Sequence, residues 1–86
     1  MKKTYNMYTD PSHGWMLVKR NELKELGIAN KISSCSYEHG DNVFLEEDCD
    51  APKFIKALQK KGIEVVFDER NTNRSSRIRN YYSYSA

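Results

Sequence analysis

The stretch from Asp50 to Phe67 constrains this chain more than any other. Its apolar residues change period at Gly62. Ahead of it, Phe54, Ile55 and Leu58 form one helical stripe, with Ala51 close by. Pro52 falls in the first turn, where its missing N–H costs nothing. Asp48 or Asp50 is placed to cap the helix, and Lys60 and Lys61 suit the negative end of its dipole. Gly62 then ends it, because glycine takes the left-handed C′ conformation without a Cβ penalty. Beyond it Ile63, Val65 and Phe67 alternate as one face of a strand. A helix followed directly by a strand requires a layered fold with both element types.

The rest of the chain supplies more short elements. Tyr5 to Tyr8 reads as a strand, Asp10-Pro11-Ser12-His13-Gly14 as a turn, and Trp15-Met16-Leu17-Val18 as a buried strand able to pair with the first. Asn21 is placed to cap a short helix carrying Leu23 and Leu26, which Gly27 ends. Ile32 to Tyr37 alternates as a half-buried strand. It forms a hairpin through Glu38-His39-Gly40-Asp41 with Asn42-Val43-Phe44-Leu45. If the strands on either side of the second helix lie side by side, their crossover is right-handed. Arg77 to Tyr82 reads as a last edge strand, and Ser83 to Ala86 as a frayed end. The expectation is one α+β domain over 1–86. Its sheet is mixed or antiparallel, with about four to six strands and two short helices.

An apolar fraction of 38% across 86 residues suffices for one small core. Lys2 and Lys3 lead into no apolar signal segment, and no apolar run is long enough to span a bilayer. The sequence thus predicts a soluble, cytoplasmic protein with no membrane partner. Cys35 and Cys49 lack CxxC spacing and read as free thiols.

Charge is divided unevenly. The first sixty-nine residues hold ten basic and twelve acidic side chains, while the segment 70–86 carries Arg70, Arg74, Arg77 and Arg79 and no acid. Those arginines are interleaved with Tyr81, Tyr82 and Tyr84. Tyrosine and arginine dominate protein-binding hot spots. Arginines also neutralise phosphates, and tyrosines stack on unpaired bases. The plain alternative is a solubilising edge.

No catalytic, metal or cofactor motif is present. His13, Cys35, His39 and Cys49 supply zinc-binding atoms without paired ligand spacing. A thiol–imidazole pair among them would have to be assembled by the fold. The acidic run Glu46 to Asp50 lacks the glycine and oxygen spacing of a calcium loop. The loop Asp10 to Trp15 admits two readings. Asp10 orients His13 within a binding loop, or it makes an Asx-turn while Trp15 anchors the core. The candidate binding residues are therefore Asp10, His13, Trp15, Arg74, Arg77, Arg79, Tyr81 and Tyr82.

Several segments together, namely Asp10 to Trp15, Tyr37 with Gly40-Asp41, Leu45 to Asp50 and Ser76 to Tyr81, resemble a family of small uncharacterised proteins of bacteriophages and plasmids. The resemblance implies an accessory factor in a bacterial host, without an assigned reaction or ligand. Three functions follow as expectations. The first is a non-enzymatic protein that binds a host protein. The second is nucleic-acid binding by the basic aromatic segment. The third is a small enzyme or ligand binder at His13 and His39. A homodimer through an edge strand is compatible with each.

Overall fold

A computed structural model describes residues 1–73 and 76–86. It contains strands β1 (Lys2–Thr9) and β2 (Gly14–Lys19), helix α1 (Arg20–Glu25), and a 3-10 turn at Ala29–Lys31. Strands β3 (Tyr37–His39) and β4 (Asn42–Glu46), helix α2 (Ala51–Gln59) and strand β5 (Glu64–Asn71) follow. A second 3-10 turn (Arg77–Asn80) and the short strand β6 (Tyr82–Ser83) complete it. The strands form one mixed sheet in the order β5-β1-β2-β4-β3-β6. Only the β1–β5 pairing is parallel, with Tyr5 opposite Phe67 and Tyr8 opposite Arg70. This is a small α+β fold of six strands and two helices. No described helix is long and apolar enough to cross a membrane.

The period-two side-chain alternation of strands builds two separate apolar clusters. Tyr5, Met7, Met16, Val18, Val43 and Leu45 face the helices, where Leu23, Phe54 and Leu58 close over them. Trp15, Leu17, Phe44, Tyr8 and Tyr37 face the other way and meet Ile78 and Tyr81 from the C-terminal segment. Both helices end as the glycines require. Gly27 and Gly62 adopt φ of 70° and 75°. The next N–H in each case reaches back five residues, Ile28 to Leu23 at 3.0 Å and Ile63 to Leu58 at 3.1 Å.

Several expectations are corrected. The strands flanking α2 are not neighbours. The β1–β2 hairpin lies between them, so α2 carries the chain across the sheet to its far edge. Helix α1 starts earlier than the Asn21 cap implies. The Glu22 carboxylate reaches back to the Lys19 backbone N–H at 2.9 Å, and Asn21 instead donates to Glu25 within the helix. Residues 32–36 are not a strand, because Ser33 and Ser36 turn their hydroxyls to Asp50. Asp50 occupies the N-cap position of α2, but its side chain makes no cap bond.

Asp50 is fully buried and takes hydrogen bonds from Ser33, Ser36 and Lys53. Burial opposes its charge, but the bonds from Ser36, Lys53 and Ser33 outweigh that and hold the carboxyl below its ordinary range. The C-terminal end is anchored rather than frayed. Tyr84 is buried, donates from its hydroxyl to the Ala29 carbonyl at 2.6 Å, and its N–H bonds Ser36 at 2.8 Å.

Candidate functional site

The face of the sheet away from the helices brings together Asp10, His13, Trp15, Arg77, Arg79 and Tyr81 of the residues the sequence nominates. Arg77 to Asn80 forms a 3-10 turn, not the expected edge strand. Ser76 caps it, its hydroxyl accepting from the Ile78 N–H at 3.2 Å. Ile78 then packs on Trp15 and Phe44. Only Tyr82 and Ser83 extend the sheet, beside β3.

Asp10 holds this turn in place. Its Oδ1 accepts from the backbone N–H groups of Ser12 at 3.0 Å and His13 at 2.9 Å, the bonds of an Asx-turn. The same carboxylate takes a two-pronged contact from Arg79, Nε to Oδ2 at 2.7 Å and Nη2 to Oδ1 at 2.9 Å. The Ser76 N–H adds a further bond at 3.0 Å. The Asp10 side chain is 1% exposed. The Arg79 guanidinium beside it, helped by the backbone donors, holds its carboxyl far below the ordinary range. The Asx-turn with Trp15 anchored in the core is the reading that occurs: Asp10 bonds the His13 backbone and not its ring, and its carboxylate is not left free. Trp15 is buried, with Arg79 5.3 Å above its ring. His13 stacks at 6.0 Å on the indole. Its Nδ1 lies 2.9 Å from Arg79 Nη2. Because a guanidinium only donates, that nitrogen accepts.

Asp10, Trp15 and Arg79 therefore build the wall of the face rather than its contact surface. The pin creates a groove of about 560 Å³ beside it, within the range that holds small ligands or a side chain. Tyr8, Phe44 and Tyr81 line its aromatic side. Phe44 lies 6.1 Å from Tyr8 and 5.3 Å from Tyr81. Arg70 and Arg77, both exposed, line its basic side. Tyr81 is fixed by a flat stack on His39 at 4.4 Å. Tyr82 is 84% exposed at the β3 side of the sheet. Arg74 lies outside the described residues.

Tyr8, Phe44, Arg70 and Ile78 belong to this site although the sequence reading did not nominate them as binding residues. One signal was present. The unbroken apolar runs Trp15 to Val18 and Val43 to Leu45 require cover on both faces of their strands. Among the described residues, Trp15 Nε1 is the one buried side-chain polar atom without a hydrogen-bond partner.

The imidazoles and thiols do not converge. His13 meets Trp15 and Arg79, His39 meets Tyr81, and Cys49 sits 3.5 Å from the Ser33 hydroxyl near the start of α2. Cys35 is exposed. Among the described residues no group of three or more His, Cys, Asp or Glu is placed to hold a metal ion.

No protein-family model matches the chain, no curated protein matches it, and no solved structure matches it.

Proposed function

We propose that this chain is a non-enzymatic interaction protein, a phage or mobile-element accessory factor that binds a host protein through the groove opposite the helices. One observation carries the reading. Asp10 joins the loop 10–15 and the segment 76–81 into a single surface, with five hydrogen bonds converging on its carboxylate. Arg77 on the pinned turn and Arg70 on β5, the latter also paired with Asp68 at 3.1 Å, line the groove together with Tyr8 and Tyr81. Aromatic rings on a rigid support with arginines at the margin are the composition of a protein-binding hot spot. An acidic segment with one apolar side chain suits it, the side chain entering the groove and the acids meeting the arginines.

Affinity capture from bacterial lysate, compared across variants, tests this. Wild type should enrich a defined partner, and Arg77→Glu and Tyr81→Ala should each reduce that enrichment at least about tenfold. A partner retained equally by both variants, or no enriched partner, rejects the reading.

The adjacency of Arg70 and Arg77 to Tyr8 and Tyr81 also favours a second reading, binding of single-stranded nucleic acid by stacking and phosphate contact. Fluorescence polarisation with a labelled oligonucleotide at two salt concentrations separates the two. Nucleic-acid binding must weaken steeply with salt and with Arg77→Ala. The acidic balance of residues 1–69 opposes extended contact with a duplex.

A further inference from the structure

We infer that β5 is a self-pairing edge, and that two copies of this chain join antiparallel along it, centred on Phe67, into one continuous sheet. This surface adjoins the groove and shares Arg70 with its basic side, so Glu64→Lys and Glu69→Pro are the variants that leave the groove lining untouched. Among the described residues β5 ends the sheet and is paired only with β1. It is eight residues long and contains no proline. It also carries Val66 and Phe67, 37% and 38% exposed, as adjacent large apolar side chains. Four of its eight residues are charged, which blunts unselective pairing and leaves open only a register that sets unlike charges together.

The hydrogen-bond parity of β5 fixes which groups are offered. Glu64 N–H donates to the Met1 carbonyl at 2.8 Å, and Thr72 N–H to the Thr9 carbonyl at 2.9 Å. In a parallel ladder a residue turns both its N–H and its C=O to the same side. The even-numbered residues of β5 therefore face β1, and Val65, Phe67 and Glu69 present their backbone groups outward. An antiparallel partner centred on Phe67 sets Phe67 against Phe67 and Val65 against Glu69, each as a hydrogen-bonded pair. That supplies about six backbone hydrogen bonds.

Charge and strand length together select this register and a second copy as the occupant, since centring on Val65 also avoids like pairs but leaves Glu69 and Arg70 opposite residues outside the strand. With Phe67 at the centre, Glu64 stands opposite the second copy's Arg70, twice by symmetry. Val66 stands opposite Asp68, and no like charges meet. Centring on Val66 sets Glu64 against Asp68. Centring on Asp68 or Glu69 sets that acid against itself. Directly opposed like charges destabilise a strand pair and opposed unlike charges stabilise it. A hollow of about 360 Å³, lined by Ile55, Ile63, Val65 and Phe67 among others, lies beside the Phe67 ring and gives the paired rings apolar surroundings.

Sedimentation velocity across a concentration series, on the whole chain, tests the inference without any partner. Wild type should show a reversible monomer–dimer equilibrium. Glu64→Lys and Arg70→Glu should each weaken it at least about tenfold, since each turns two attractive pairs into repulsive ones. An equimolar mixture of these two variants should form a heterodimer of wild-type strength, because the Glu64→Lys charge then meets the Arg70→Glu charge, and the unchanged Arg70 of one chain meets the unchanged Glu64 of the other. Glu69→Pro removes an outward N–H and leaves the β1 ladder intact. It should abolish the dimer while the circular-dichroism spectrum and Tm stay near wild type. Three results overturn the inference: a wild-type monomer up to the solubility limit, a mixture no stronger than its separate components, or a Glu69→Pro dimer in a chain that remains folded.

Discussion

The two faces of the sheet are closed by different physics. On one, α1 and α2 lay apolar stripes over Met16, Val18, Val43 and Leu45, and burial is continuous. On the other, four residues of 3-10 turn cover Trp15 and Phe44, and one carboxylate and one guanidinium hold that turn down. The first closure is non-directional and roughly proportional to apolar area. The second depends on exact placement and covers only part of the face, so a groove remains. A stable core and an open surface are thus set back to back, and they should respond differently to perturbation.

The largest effect should come from the helix face. Phe54 is fully buried and meets the Tyr5 ring edge-on at 5.3 Å. Phe54→Ala should cost about 3–5 kcal/mol in urea unfolding, a large part of the stability of a small domain. Next comes Asp50→Ala, which strands the hydroxyls of Ser33 and Ser36 and the ammonium of Lys53. A loss of about 3 kcal/mol is expected, with Asp50→Asn recovering part of it.

Ile78→Ala should cost less, about 2 kcal/mol, because the site borders an open groove whose lining and solvent can adjust. Its signature should be regional. Amide exchange should quicken at Ser76 to Tyr81 and stay slow in α2. Equal acceleration in both would show that the two faces unfold as one unit.

Acid sharpens the comparison. Asp10, Glu22 and Asp50 all have carboxyl pKa values below their ordinary ones. Each therefore contributes stability that is fully present above the unfolded pKa, near 4, and is lost as the pH falls through the folded value. Stability should be flat from neutral pH to about 5 and fall progressively below about 4. Asp10→Asn should release the 3-10 turn at neutral pH, seen as lost amide protection at residues 76–81. It should also flatten the acid limb. An unchanged limb would assign acid sensitivity to Asp50 and Glu22 instead. The smallest stability effect is expected at Arg77. Arg77→Ala should stay within about 0.5 kcal/mol of wild type in unfolding, while partner capture falls.

The helix face was the more legible one. Period-3.6 stripes, the change of period at Gly62 and the glycine stops are local patterns, and local geometry reproduces them at both helix ends. The other face was legible only in composition. The interleaving of arginine and tyrosine marked 70–86 as unusual, yet the sequence could not separate Arg79, consumed by Asp10, from Arg77, left open. That division arises between residues 69 positions apart. The strand expected at 77–82 failed for the same reason, since Ser76 and Asp10 supply the bonds that a neighbouring strand would otherwise offer.

By itself the sequence determined both helices with their glycine stops, the strands of the regular apolar runs, the α+β class and the charge division, because each follows from side-chain period, capping chemistry and counting over a few neighbouring residues. Tertiary structure alone decided the rest. It set β1 between β5 and β2, turned Asp50 from a helix cap into a buried hydrogen-bond hub, and anchored Tyr84. It also converted a loop and a tail into one grooved surface. These depend on which distant polar groups find one another once apolar surface has been buried. A carboxylate with several possible donors takes the set that the packed chain brings within reach.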